Sequence, residues 1–243
     1  MRKALAIFRS TIFFIVFFGF TIPWLMLAYV MMPLNQRLFI AVAAGWSRAH
    51  RFLARWICGQ RVVMEGVLPT QPTFYVLKHE SMFETMDLPH LLDRPVIAAK
   101  KELLEIFGWG RLARAYGLLA VDRDAGASAL RLLRNQAREA MEAGRSICLF
   151  PEGTRVEPGD SPALKSGFAG LYLVLKMPVV PVAVSSGAIN PRGFLRYPGI
   201  IRYRVGTTIP AGLPRAEAEA QVHAAINALN RSAPSSSVGI ADS

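Results

Sequence analysis

Residues 73–84 read Thr-Phe-Tyr-Val-Leu-Lys-His-Glu-Ser-Met-Phe-Glu, and their order points to the class of fold for the whole chain. The run 73–77 is apolar, rich in aromatic and β-branched residues and of strand length. Lys78, His79 and Glu80 interrupt it with polar and charged groups. Ser81 followed three residues later by Glu84 is a helix-start pattern, a serine cap reciprocated by a glutamate in the first turn. A buried strand that passes through a short turn into a helix is the repeating unit of an α/β sheet.

The same texture extends outward. Short apolar runs at 61–64, 96–99, 118–121, 146–150, 179–184 and 200–205 read as further strands, with helical stretches at 81–92, 101–116, 127–143 and 166–176. The stretch 127–143 places Leu130, Leu133, Ala137 and Met141 on one side and Arg131, Arg134, Arg138 and Glu142 on another, before Gly144 ends it. Alternation of this kind predicts an α/β fold with a largely parallel central sheet flanked by helices. No internal repeat is visible, and the small, polar residues 232–243 read as a flexible tail. The expected organisation is a membrane-anchoring helical segment over 1–60, an α/β domain over 61–231 and the tail.

The N-terminal segment differs in kind. The chain has 243 residues, 52% of them hydrophobic and 19% charged, too apolar for intrinsic disorder and less charged than the roughly 25% of an average soluble domain. Its net charge is +11, and eight of those positive charges precede Glu65, the first acidic residue. They flank residues 10–32, which carry no charge and would span about 35 Å as a helix at ~1.5 Å per residue. Basic residues beside a greasy run indicate a membrane rather than a nucleic acid partner. Pro23 in the middle and cations on both sides leave a crossing helix and a kinked, shallow or re-entrant one equally open. The run is too long for the apolar region of a cleaved signal peptide. Residues 36–58 read as a second helix, with Arg48, Arg51 and Arg55 on one stripe and Phe39, Trp46, Leu53 and Ile57 opposite, the pattern of a helix at an anionic interface or of an ordinary amphipathic helix. Cys58 and Cys148 are too few and too far apart for a disulfide framework and are expected as buried thiols.

Two places concentrate chemistry. His79 sits in a strand-to-helix turn, where α/β folds expose functional groups. With the helix starting at Ser81, the Glu84 carboxylate can reach back to the imidazole and fix its tautomer, or it can simply cap the helix; the motif alone leaves both open. Asp87, one turn further on, is the fallback partner for His79. The second place is Phe150-Pro151-Glu152-Gly153-Thr154-Arg155, directly after a strand. A glycine that lets backbone approach an anion, a hydroxyl and a bidentate guanidinium together make a phosphate-binding turn. The four histidines, at 50, 79, 90 and 223, and the two cysteines form no metal-ligand spacing, so no metal is expected.

Over roughly residues 60–210 the chain resembles the 1-acylglycerol-3-phosphate acyltransferases, the lysophosphatidate acyltransferase family. Four blocks carry the likeness in order: His79 to Glu84, Gly117 to Arg123, Phe150 to Arg155, and Val180-Pro181-Val182-Ala183-Val184, with Lys100-Lys101-Glu102-Leu103 and Gly108-Trp109-Gly110 resembling the linking segment. One departure is Glu84 where the family's block ends in Asp; some bacterial members carry the longer acid.

The resemblance implies a glycerolphosphate acyltransferase-like fold and an acyl transfer from acyl-CoA or acyl carrier protein to the sn-2 hydroxyl of lysophosphatidate. In that mechanism His79 is general base, Glu84 holds it, and Glu152, Gly153, Thr154 and Arg155 bind substrate, with Arg123 and Lys100 as further candidates for the anionic site. No acyl-enzyme and no cofactor beyond the thioester are implied, and Ser81 is read as a cap rather than a nucleophile. The partners implied are lysophosphatidate, the thioester donor and membrane lipid, with no nucleic acid. The implied location is a membrane, the inner one in a bacterium, with the active site on the cytoplasmic face. Two alternatives stand beside it: another acceptor, such as a lyso-ornithine lipid, or a non-catalytic lipid-binding protein.

Overall fold

A computed structural model describes residues 2–121 and 126–230, and in it the apolar runs assemble into one seven-stranded sheet. The strands are β1 (Gln60–Glu65), β2 (Phe74–Leu77), β3 (Val96–Lys100), β4 (Leu118–Val121), β5 (Ile147–Leu149), β6 (Val179–Ser185) and β7 (Gly199–Val205), in spatial order β1-β7-β6-β2-β5-β3-β4. All of these neighbours run parallel except β6 and β7. The central strands β2 and β5 are buried throughout, as expected where helices cover both faces of a parallel sheet.

Among the described residues seven α-helices surround it: α1 (Arg2–Leu34), α2 (Gln36–Trp56), α3 (Met82–Leu91), α4 (Gly110–Tyr116), α5 (Gly126–Glu142), α6 (Ser166–Leu175) and α7 (Arg215–Ile226). Side chains alternate across the sheet. Tyr75, Leu77, Cys148, Val180 and Val182 face α1 to α4, whereas Phe74, Val76, Ile147, Leu149 and Val179 face α5 to α7. Both cysteines are free and buried. In α5, Arg131, Arg134 and Arg138 are exposed and Ala137 is buried, the two-sidedness its sequence predicts.

One expectation is corrected, and one element is added. The stretch 101–116 is not one helix: a 3-10 turn at Lys101–Glu105 is followed by Gly108 at φ 75°, and only then by α4. Gly110 is forced there, because a Cβ at that position would lie 1.9 Å from the Leu104 carbonyl oxygen. The helix α7 has no counterpart in the sequence reading. It is largely alanine and charge, and holds to the sheet through Ala218, Val222 and Ile226, one residue per turn. The tail, 232–243, and Arg123 lie outside the described residues.

The helix α1 runs unbroken through Pro23 and Pro33 and is long and apolar enough to cross a membrane by length and composition. It pairs with α2 through indole donors: Trp24 Nε1 gives to the Val42 carbonyl at 2.7 Å and Trp46 Nε1 to Thr21 Oγ1 at 3.0 Å. Its outward stripe, with Phe8, Ile15, Ile22, Met26 and Val30, is exposed. The basic stripe of α2 is divided: Arg48 and Arg55 are exposed, while Arg51 turns inward to pair with the buried Asp87 of α3, its Nε at 2.8 Å from Oδ1.

Candidate active site

Parallel registration brings the two chemical segments together. β2 lies between β5 and β6, with Val76 opposite Leu149 and Leu77 opposite Val182, so the turns leaving their C-terminal ends open on one edge. The Lys78 amide still bonds the Val182 carbonyl at 3.1 Å, and His79 is the next residue out.

Ser81 caps α3, its hydroxyl accepting from the Phe83 amide at 3.0 Å. Glu84 closes the reciprocal half: Oε1 accepts the Glu80 and Ser81 amides, each at 2.6 Å. That same oxygen lies 3.1 Å from His79 Nδ1. Capping and histidine orientation are therefore two uses of one carboxylate. Its other oxygen accepts the Ser81 and Ser186 hydroxyls at 2.8 and 2.7 Å. Burial alone pushes the Glu84 carboxyl up, but the His79 imidazole, the Ser81 amide and the Ser186 hydroxyl together hold it below the ordinary glutamate value. An ionised carboxylate at Nδ1 makes that nitrogen the protonated one and leaves Nε2 as the acceptor. The ring stacks on Phe150 at 4.3 Å between centroids, so its plane is fixed from the side as well.

The fallback assignment for Asp87 is overturned. Its carboxylate faces α2 and is taken by Arg51, so it ties two helices together instead of holding the base.

Around the second segment, Gly153 adopts φ 70° and its amide closes on the Phe150 carbonyl at 3.1 Å. The Val156 amide donates to the His79 carbonyl at 2.8 Å, which joins this turn to the histidine turn. Thr154 is exposed and Arg155 half-buried, and the Arg155 guanidinium has no acidic partner among the described residues. Glu152 is buried, with neither oxygen in hydrogen-bonding geometry. Burial raises its carboxyl, an effect only partly offset by nearby amides and by the charges of Lys78 and His79. Lys100 ends β3 on the same sheet edge.

Four supporting residues escaped the sequence reading. Lys78 is fully buried and donates to the Asp160 carbonyl at 2.7 Å and to Asn227 Oδ1 at 2.5 Å, lashing β2 to the loop after the second turn and to the end of α7. Glu80 Oε2 receives the Ser186 and Gly187 amides, each at 2.9 Å. Ser186 therefore braces both glutamates. The available signal was its place just past β6, at the edge where functional turns emerge. Gly187 has no room for a side chain: a Cβ would lie 2.9 Å from Pro158 Cγ and 3.1 Å from Glu80 Cβ. Gly187→Ala is expected to lower stability by about 1–3 kcal/mol, read as a lower unfolding midpoint. An unchanged midpoint would mean that Pro158 yields at no cost.

A buried carboxylate, an imidazole with one free nitrogen, and an unpaired guanidinium on the neighbouring turn can deprotonate a hydroxyl on an anionic molecule. A sequence model of the acyltransferase family matches residues 60–185. A 1-acyl-sn-glycerol-3-phosphate acyltransferase of Pseudomonas aeruginosa is 30% identical over 223 residues, 87% of this chain and 85% of that protein. The mouse 1-acyl-sn-glycerol-3-phosphate acyltransferase alpha is 30% identical over 137 residues, covering 55% of this chain and 48% of its own length. In fold, the chain is similar to the crystal structure of the 1-acyl-sn-glycerophosphate acyltransferase of Thermotoga maritima, with a TM-score of 0.72 at 20% identity over 94% of this chain and 98% of that one.

Proposed function

This chain belongs to the acyltransferase family, and from that premise we propose that it acylates the sn-2 hydroxyl of 1-acyl-sn-glycerol 3-phosphate to give phosphatidate. The observation that carries the reading is the His79–Glu84 pair beside the unpaired Arg155. His79 Nε2 accepts the hydroxyl proton as the oxygen attacks the thioester carbonyl carbon. The tetrahedral intermediate collapses with cleavage of the carbon–sulfur bond, and the imidazolium returns the proton to the departing thiolate. Glu84 stabilises the imidazolium in between, and no acyl-enzyme or cofactor is required. Arg155 with Gly153 and Thr154 receives the phosphate, and Arg123 and Lys100 are further candidates for it. Glu152, turned inward, supports the shape of that turn.

Lysophosphatidate is a membrane lipid, and the placement of α1 suits it. Ser10, near one end, receives the Arg196 amide at 2.8 Å; Tyr29, near the other, donates its hydroxyl to the Gly108 carbonyl at 2.8 Å. Those contacts lie about 28 Å apart along a helix rising ~1.5 Å per residue, nearly the ~30 Å of a hydrocarbon core. A helix that touched one α/β domain at both ends while crossing the bilayer would draw that domain through the lipid. The arrangement supports a helix lying in one leaflet with its Phe8-to-Val30 stripe in the acyl chains, and a site open to the cytoplasmic thioester pool.

The test is acyl transfer by detergent-purified protein from acyl-CoA and from acyl carrier protein to lysophosphatidate, beside lyso-ornithine lipid and lysophosphatidylcholine. Turnover on lysophosphatidate is expected with one donor or both. Turnover confined to another acceptor would reassign the substrate, and none on any acceptor would sink the reading. Arg155→Ala is expected to raise KM for lysophosphatidate on the order of 10- to 100-fold, the worth of a lost charge-assisted contact, with kcat moved much less.

A further inference from the structure

Between β6 and β7 the chain runs through 190–197, a segment given no part in the reaction so far. It is anchored on three sides. Arg192 Nη2 donates to the Arg155 carbonyl at 2.7 Å, the Arg196 amide donates to Ser10 Oγ of α1, and Gln60 Nε2 donates to Asn190 Oδ1 and the Tyr197 carbonyl, each at 3.0 Å. The segment therefore bridges the phosphate-binding turn and the apolar helix.

The Arg196 guanidinium is held in a particular way. Nη1 donates to the Gly193 and Leu195 carbonyls at 3.2 and 3.0 Å, and Cζ sits 5.4 Å above the Phe14 ring of α1. Nε and Nη2 meet no acceptor, and no carboxylate pairs with the group, among the described residues. Burial lowers its pKa; Cys58 offsets that slightly, while the like charge of Arg155 lowers it further. The loop that carries Arg196 is bonded through Arg192 to the Arg155 carbonyl, and among the described residues no acid pairs with either guanidinium, so the two cations form a cradle for an anion. Beside them stands an apolar wall: Phe194, 45% exposed, meets Phe14 edge-on at 6.1 Å between centroids. Paired positive charge beside the half-buried Phe14 of an apolar helix and the exposed Phe194 matches one class of molecule, a single-chain lipid with an anionic phosphate head.

We propose that Arg196 is a second phosphate ligand, facing Arg155 across the headgroup, and that segment 190–197 with α1 forms the mouth through which the lysolipid enters, its tail along Phe14 and Phe194. Arg196 is then a specificity-determining residue for acceptors bearing a phosphate monoester. The inference rests on the proposed acylation of lysophosphatidate.

The experiment is steady-state kinetics of the wild type, Arg196→Gln and Arg196→Lys with lysophosphatidate, and with 1-acylglycerol, which lacks the phosphate. Arg196→Gln is expected to raise KM for lysophosphatidate about tenfold with little change in kcat and to leave KM for 1-acylglycerol where it was, and Arg196→Lys is expected to recover most of the loss. A KM that does not move, or a loss equal for both acceptors and tracking a lower unfolding midpoint, would reduce Arg196 to a brace of its own loop and overturn the inference. A wild type that leaves lysophosphatidate unacylated would overturn the proposed function itself, and the inference with it.

Discussion

His79→Ala is expected to lower kcat by about 10²- to 10⁴-fold, the range that a positioned general base contributes. Nδ1 is committed to Glu84 and, among the described residues, Nε2 has no partner, while His50 packs against Phe13, Phe17 and Phe83 and His223 Nε2 is engaged with the Ser161 carbonyl. Removing it also forfeits the stack on Phe150, a contact worth about 1 kcal/mol. The unfolding midpoint should therefore fall slightly while the rate collapses. Thiol release from the donor, measured with saturating acceptor, is the readout. Retention of more than a tenth of the wild-type kcat would remove His79 from the role of base.

Glu84→Gln is expected to cost kcat about 10²- to 10⁴-fold through a different route. The substitution keeps volume and can keep the tautomer, because the amide oxygen can still accept from the Glu80 and Ser81 amides and from Nδ1. What it removes is the negative charge that stabilises the imidazolium during proton transfer. It also turns an NH₂ group toward the Ser81 and Ser186 hydroxyls, which now donate to Oε2 and must rotate to accept. The stability cost is about 1–3 kcal/mol. Its pH dependence has a definite sign. The Glu84 carboxyl is held below its ordinary value of 4.5, so the stabilisation it provides is full above that value and is lost as the pH falls through the depressed one. The difference in unfolding free energy between wild type and Glu84→Gln should accordingly be constant near neutrality and shrink under acid. A variant with wild-type kcat would leave Glu84 as a helix cap alone.

The parts of this site that are local in the chain were legible in the sequence. His79, Ser81 and Glu84 fall within one strand-to-helix turn, so spacing and capping preference suffice to bring them together. The central strands β2 and β5 were legible for a similar reason, since buried parallel strands appear as unbroken apolar runs. Ser186, Glu80, Lys78 and Arg196 were not. Ser186 meets Glu84 only because β6 lies next to β2, and Lys78 meets Asn227 only because α7 packs beneath the same edge. Strand order is a property of tertiary packing that periodicity does not encode. Asp87, the fallback partner for His79, shows the converse: it is close in sequence, but the helix rotates its carboxylate toward α2, where Arg51 takes it.

The sheet order has a consequence for how the protein is made. β1 has β7 as its neighbour, so Gln60 finds Gly199 as its partner only after most of the chain has been synthesised. At about 5–20 residues per second, that is a wait of roughly 7 to 28 s. During it, α1 and α2 precede the completed sheet, with an exposed apolar stripe on α1. On the proposed placement of α1 in a leaflet, a bilayer would take up that stripe before the sheet is complete, and the α/β domain would then mature beside the surface that holds α1. On that placement, delivery and folding would be a single event, ordered by the position of one strand.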